Sequence, residues 1–310
     1  MSVYTPINHQ QLEQFLQQYT LGSLIQFSGI QAGIENTNYR VSTSTGDYIL
    51  TLFETLAELE LPAYLSLIKH LNESGFPAPK PYYCMGKRYI NNLAGKPATV
   101  FSCLSGKSIE SPSHSQCSEI GGYLAKLHQL SSSIDFNKQN AKSISGCQYI
   151  FKQINSQLPE TDIQLLTAEL NYQSNYPLPN LPQGIIHADL FKDNVLFEQG
   201  RISGILDFYN ACGDYFLYDI AVTCNDWCVA NESLDQQKFK AFISGYQMIR
   251  PLTEDETIHL TVFLRLAALR FWLSRIQHKL SPKHGELTLE KDPLVFKRLL
   301  QYYRTETINL

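Results

Sequence analysis

No apolar run in the sequence approaches the roughly 20 residues a membrane-spanning helix requires. The opening stretch, Met1 to Tyr19, is polar and glutamine-rich and lacks a signal-type apolar core. Charge of one sign is also missing: 25 Lys and Arg face 29 Asp and Glu, a net charge of -4. Nothing electrostatic therefore points to nucleic acid or an anionic membrane as a partner. The seven cysteines (Cys84, Cys103, Cys117, Cys147, Cys212, Cys224 and Cys228) contain no Cys-x-x-Cys pair, and Cys224 and Cys228 have no histidine at metal-finger spacing. The expectation is reduced, buried thiols in a cytoplasmic protein. A P-loop is absent too. Leu104-Ser-Gly-Lys-Ser108 resembles its tail, but Phe101 stands where the first glycine is needed, and Asn91 to Lys96 reads as a turn. Internal repeats and low-complexity linkers are likewise missing.

What remains is a chain of 310 residues, 44% apolar, long enough for two lobes with a sizeable core. Its first hundred residues read mainly as strands. Asn38–Val41 and Tyr48–Phe53 flank a Ser-Thr-Gly-Asp turn, and further strands are predicted near Pro81–Cys84, Arg88–Ile90 and Thr99–Leu104. Leu61, Leu65, Ile68 and Leu71 predict one apolar face of a helix from about Ala57 to Ser74, closed by Gly75 and Pro77. After Gly106 long helices dominate. Ser113 and Gln116 predict a capping box, and Ile258 to Ile276 is apolar on nearly every side and reads as central. The implied class is α+β: a small antiparallel-sheet lobe over residues 1–102, a hinge near Ser102–Gly106, and a mainly helical lobe over 103–310.

Within the helical half, three short strands frame His187-Ala-Asp189-Leu-Phe-Lys-Asp-Asn194, and a hairpin leads on to Asp207. This is the H-x-D-x-x-x-x-N plus aspartate pattern of kinase-like phosphoryl transfer. Asp189 is the candidate catalytic residue, orienting an acceptor hydroxyl and accepting its proton. Asn194 and Asp207 offer the hard oxygen ligands Mg2+ prefers, with ATP as phosphoryl donor. His187 reads as a buttress of the turn, and Asp219 as a carboxylate tying the loop down. Lys192 is either a phosphate contact or a solvated loop lysine. The one plausible phosphate-covering loop is Gly29 to Asn38, in which Gly33, Asn36 and Asn38 are the candidate ATP contacts.

Taken together these residues resemble the aminoglycoside-phosphotransferase-like group of the protein-kinase-like fold, and within it the homoserine kinases. The resemblance runs through Gly33 to Tyr39, Tyr48 to Phe53, Leu93 to Pro97, His187 to Phe197 and Asp207 to Cys212. It continues with Asn225-Asp-Trp-Cys228, Arg270-Phe-Trp-Leu-Ser-Arg275 and Lys291-Asp-Pro293. It implies a two-lobed enzyme that uses ATP and magnesium to phosphorylate L-homoserine on the route to threonine. In one respect the chain departs from the general kinase pattern. The strand lysine position is Thr51, and the helix glutamate that would pair with it is also missing. Losing both is coherent, because one charge left alone is costly. Lys192, Asn36 and Asn38 are the candidates to face the phosphates instead.

A zwitterionic acceptor calls for a cation at its carboxylate and an acid or carbonyl at its ammonium. Arg270 and Arg275 are the candidate carboxylate clamps, although about 140° of helix rotation separates them. Asp226 with Trp227 is the candidate ammonium site, and Tyr209 and Asn210 lie nearest the metal aspartate in sequence. Other acceptors (choline, ethanolamine, a sugar or an aminoglycoside) keep the same chemistry. A nucleotide-binding scaffold without turnover is the alternative from a different class.

Overall fold

The computed structural model describes residues 3–30, 36–281, 292–308 and 310; Gly33 and Lys291 lie outside them. The chain forms two compact units. One is built mainly from residues up to Gly106 and includes Ser203–Leu206; the other comprises Lys107–Ile202 and most of the chain from Asp207 onward.

In the first unit, α1 (His9–Leu16) opens with a reciprocal cap between Asn8 and Gln11, both bonds 2.9 Å long. Next come β1 (Leu24–Gly29), β2 (Asn36–Thr43), β3 (Gly46–Phe53), α2 (Leu61–Glu73), β4 (Asn91–Leu93) and β5 (Lys96–Ser102). The five strands form one antiparallel sheet in the order β1-β2-β3-β5-β4. Alternating residues of β2 and β3 (Tyr39, Val41, Leu50 and Leu52) pack with Leu12, Phe15 and Leu16 of α1 into an apolar cluster.

Two sequence expectations need correction here. The α2 helix starts at Leu61 rather than near Ala57, because Pro62 suits a first turn and cannot donate within a helix. The strands expected at Pro81–Cys84 and Arg88–Ile90 reduce to one bridge between Pro81 and Phe101. Proline lacks a ladder donor, and a turn with Lys87 at φ 55° interrupts the chain just before Arg88. Asn91–Lys96, expected as a turn, supplies β4 and a tight reversal at Ala94-Gly95 into β5.

The second unit contains α3 (His114–Leu130), α4 (Ile144–Ile154), α5 (Glu160–Asn175), β6 (Gln183–Ile186) and β7 (Val195–Glu198). The chain continues through β8 (Arg201–Ile205), of which residues 203–205 count with the first unit. The second unit resumes with β9 (Cys212–Tyr215), α6 (Phe216–Trp227), a small hairpin of β10 (Val229–Ala230) and β11 (Ser233–Leu234), α7 (Gln236–Gln247), α8 (Glu254–Leu280) and α9 (Leu294–Thr305). The Ser113/Gln116 capping box is present at the start of α3. Close approach of α3 and α7 depends on paired glycines. A Cβ on Gly121 would sit 2.2 Å from the Phe242 carbonyl oxygen, and one on Gly245 would sit 1.9 Å from that of Ser118. By length and composition α8 is apolar enough to cross a membrane, yet 61% of its most apolar stretch is buried inside the protein. It packs on α6 and α9 and carries Phe263, Leu264, Leu269, Trp272 and Leu273 into the core.

Candidate active site

The candidate catalytic segment is the loop that leaves β6. It turns at Ala188, which adopts a left-handed φ of 62°, a conformation that costs an alanine about 1–2 kcal/mol. Charged side chains fix both of its peptide groups. The Ala188 N–H donates to Asp219 Oδ1 at 2.8 Å, and its carbonyl accepts from Arg270 Nη1 at 2.5 Å. Asp219 Oδ2 also accepts the His187 N–H at 2.7 Å. His187 is wholly buried, and its Nδ1 accepts the Asp189 N–H at 3.3 Å.

The far end of the loop is held from the same helix. Asp219 and Asp226 lie about two turns apart on α6 and therefore share a face. Asp226 Oδ2 accepts the Lys192 N–H at 2.7 Å, and the Lys192 ammonium lies 4.0 Å from Asp226 Oδ1. Trp227 donates its indole N–H to the Leu190 carbonyl at 3.0 Å. Asn194 Nδ2 donates to the Asp189 carbonyl at 2.9 Å, which fixes the amide and turns Oδ1, an oxygen able to ligate a cation, away from that bond. One helix and one arginine of α8 thus define the loop between His187 and Asn194.

Asp207 arrives by the β7–β8 hairpin. Gln199 and Gly200 both have positive φ, as a two-residue type I′ turn requires. Asp207 itself is left-handed, at φ 60° and ψ 60°, and a 3-10 turn through Phe208–Asn210 follows. Burial and the Asp207 carboxylate push the Tyr209 phenol well above its usual range, so it stays protonated. Asn210 Nδ2 donates to Asp189 Oδ2 at 3.4 Å, and its Oδ1 accepts from the Lys142 ammonium.

Behind Asp219 a polar chain runs through the core. His128 Nε2 lies 3.1 Å from Asp219 Oδ2, and its Nδ1 lies 2.8 Å from the Tyr246 hydroxyl. Arg250 Nη1 donates to that hydroxyl at 3.1 Å and pairs through Nη2 with Glu256 at 2.9 Å. Burial, only partly opposed by Asp219, lowers the His128 pKa. A neutral imidazole that donates from Nε2–H and accepts the Tyr246 proton at Nδ1 satisfies every atom in the chain. Burial alone would raise the Asp219 pKa; the hydrogen bonds it accepts from His128 and from the His187 N–H outweigh it and leave the carboxyl ionised.

Several residues that the sequence offered for the acceptor have partners within the protein. Trp227, a candidate for the acceptor ammonium, is 0% exposed, and its N–H is engaged by Leu190. Arg270, a candidate clamp, is 3% exposed and bound to Ala188. Asp226, the other ammonium candidate, accepts a loop N–H. Arg275 donates to the Asp292 carbonyl at 2.8 Å; burial lowers its pKa against the opposing charges of Asp226 and Asp193. In the first unit, Thr51 donates to Asn38 Oδ1 at 2.7 Å, so a neutral hydrogen bond occupies the strand-lysine position. Asn36 is 6% exposed at the start of β2. Sequence reasoning missed Lys142, Asn140 and His128. In sequence His128 is only one more residue of a helix, and nothing local marks Lys142 or Asn140, because their partners lie far along the chain.

The described residues contain no cluster of three or more His, Cys, Asp and Glu side chains fit to hold a metal. Asn194 and Asp207 each offer a side-chain oxygen, the donor type suited to a cation whose other ligands are phosphates and waters.

The pattern of the phosphotransferase enzyme family matches residues 26–252. A homoserine kinase of Methylobacillus flagellatus is 42% identical over 303 residues, covering 97% of this chain and 95% of the relative. A homoserine kinase of Neisseria meningitidis is 39% identical, covering 97% and 99%. Among solved structures, an amicoumacin kinase complexed with AMP-PNP and Ca2+ superposes with TM-score 0.72 over 96% of this chain and 92% of its own, at 16% identity. A spectinomycin phosphotransferase superposes with TM-score 0.65, also at 16% identity, over 96% and 94%. These last two speak to the fold, which is the two-lobed α+β fold of the kinase-like phosphotransferases. A catalytic-loop pattern, a matching fold and chain-long identity lead to one conclusion: the chain belongs to the phosphotransferase enzyme family, on the branch of the homoserine kinases.

Proposed function

We propose that this protein transfers the γ-phosphoryl group of ATP to the side-chain hydroxyl of L-homoserine, giving O-phospho-L-homoserine and ADP. The observation that carries this reading is the 42% and 39% identity, along nearly the whole chain, to homoserine kinases. The loop geometry supports the chemistry. Asp189 sits on a turn whose peptides are fixed by Asp219, Arg270 and Asn194, so its carboxylate is oriented before substrate arrives. It aims the hydroxyl oxygen at the γ-phosphorus and takes the proton as the new P–O bond forms and the bond to the β-phosphate breaks. Asn194 and Asp207 would hold magnesium, which neutralises phosphate charge when bound. We assign Asp226 and Trp227 to holding the loop, and Tyr209 and Asn210 to the acceptor side of Asp189.

The test is ADP production from Mg-ATP, with L-homoserine compared against choline, ethanolamine, L-serine and kanamycin. Turnover confined to L-homoserine, and reduced at least about a thousandfold in Asp189→Asn, is expected. Equal turnover of wild type and Asp189→Asn, or preference for another acceptor, would overturn the reading.

A further inference from the structure

We infer that Lys142 is the cation that receives the acceptor's α-carboxylate, which makes it the specificity-determining residue for an amino-acid substrate. The assignment rests on the homoserine reading.

The first argument is position. The Lys142 ammonium donates to Asn210 Oδ1, and the same amide donates from Nδ2 to Asp189 Oδ2 at 3.4 Å. A cation therefore stands one amide away from the carboxylate that orients the hydroxyl. In extended L-homoserine the hydroxyl oxygen and the carboxylate carbon are about 5 Å apart. A hydroxyl held at Asp189 leaves the other end of so short a molecule within reach of that ammonium.

A second argument is that the segment carrying Lys142 is built to hold it there. Gly213 N–H on β9 donates to the Lys138 carbonyl at 2.6 Å, and Gln139 forms a parallel bridge with Gly213. Asn140 Nδ2 donates to Asp214 Oδ2 at 2.6 Å, while its Oδ1 accepts the Lys142 N–H at 2.8 Å. The Ala141 carbonyl oxygen lies 2.1 Å from where a Cβ on Gly146 would stand, so α4 admits the segment only because that residue is glycine. The segment is thus fixed by β9, which begins two residues after Asn210.

Elimination supplies the third. Both arginines marked by the sequence have structural partners: Arg270 binds Ala188 and Arg275 binds the Asp292 carbonyl. An ammonium on a four-carbon stem can turn from an amide oxygen to a carboxylate at little cost and gains a charge-assisted bond in doing so.

Steady-state kinetics with two acceptors test the inference: L-homoserine, and 3-aminopropan-1-ol, which is the same molecule without its carboxylate. In Lys142→Met, kcat/KM for L-homoserine should fall about 30–100-fold, mostly through KM. With 3-aminopropan-1-ol the variant should stay within about threefold of wild type, whether measured as turnover or as Ki against L-homoserine. Lys142→Arg should recover part of the loss. An equal fall with both acceptors would mean that Lys142 serves Asp189 or the phosphoryl group, and no fall with either would mean that it serves neither; both outcomes overturn the assignment. A wild-type protein that fails to phosphorylate L-homoserine defeats the homoserine reading itself, and this assignment with it. That result is recognisable because it precedes any comparison of variants.

Discussion

The two units solve the problem of placing polar groups in opposite ways. Around β2 and β3 of the first unit, buried Thr51 makes a neutral contact to Asn38, and buried Thr37 donates to Glu54, whose carboxylate also pairs with Lys96. That unit's ion pairs reach solvent: Arg40 pairs with Asp47 with both side chains exposed, and Lys96, 36% exposed, pairs with Glu54. An apolar cluster supplies the cohesion. The second unit instead buries Asp219, His128, Arg270, Glu256 and Glu169, each with hydrogen-bonded partners, Glu169 pairing with Arg265 at 2.6 Å. Hydrophobic burial is non-directional and can hold a sheet together without fixing any one atom. A turn with Ala188 in a left-handed conformation needs specific donors and acceptors at specific places, and charge-assisted bonds supply that direction. At that turn the direction comes from two buried charges, Asp219 and Arg270.

Breaking that contrast should have its largest effect at Asp219. Asp219→Ala removes the acceptor of two loop N–H groups and strands His128 and its chain. A loss of about 3–5 kcal/mol in chemical denaturation is expected, with activity abolished. Asp219→Asn, which keeps the shape but offers a single acceptor oxygen, should fold and still lose turnover. A fully active Asp219→Asn would show that the loop is held by packing alone.

In the first unit Thr51→Val removes one neutral hydrogen bond and should cost about 1–2 kcal/mol, since Asn38 Oδ1 loses its donor. Arg40→Gln, at an exposed pair, should leave the unfolding midpoint unchanged. A cost at Thr51 as large as that at Asp219 would erase the distinction between the units.

The smallest effect sharpens the comparison through pH. Burial holds His128 below its ordinary value of 6.5. As pH falls through about 6.5, the unfolded chain takes up a proton that native His128 refuses, so the unfolded state binds more protons and stability drops. The contribution is complete above about 6.5 and is lost progressively below it, down to the lower native pKa. Unfolding free energy measured from roughly pH 5 to 7 should therefore slope downward toward acid, and His128→Gln should flatten the slope. An unchanged slope in that variant would place the titrating group elsewhere.

Much of this architecture is legible in the residues themselves. The hairpin at Asn38–Phe53, the Ser113 capping box and the central α8 follow from local pattern, because turn chemistry and helical periodicity act over a few neighbouring residues. The loop from His187 to Asn194 and the return to Asp207 are legible for the same reason, as one continuous strand–turn–hairpin with characteristic spacing. The short strands expected at Pro81 and Arg88 fail because composition favours them while proline and a positive-φ turn deny them a ladder.

Local sequence thus determined which groups the catalytic-loop pattern carries: Asp189, Asn194 and Asp207. Tertiary structure decided what holds those groups and which cation stands beside them. Asp226, Trp227 and Arg270 carry residue types suited to a ligand, yet a helix face and a buried guanidinium turned them toward the loop's own peptides. Lys142 reaches Asn210 across 68 residues, a pairing set only when its segment docks on β9. Spacing can encode a turn, because a turn closes within the chain's own reach; a contact between distant segments exists only after the core has packed and brought them together.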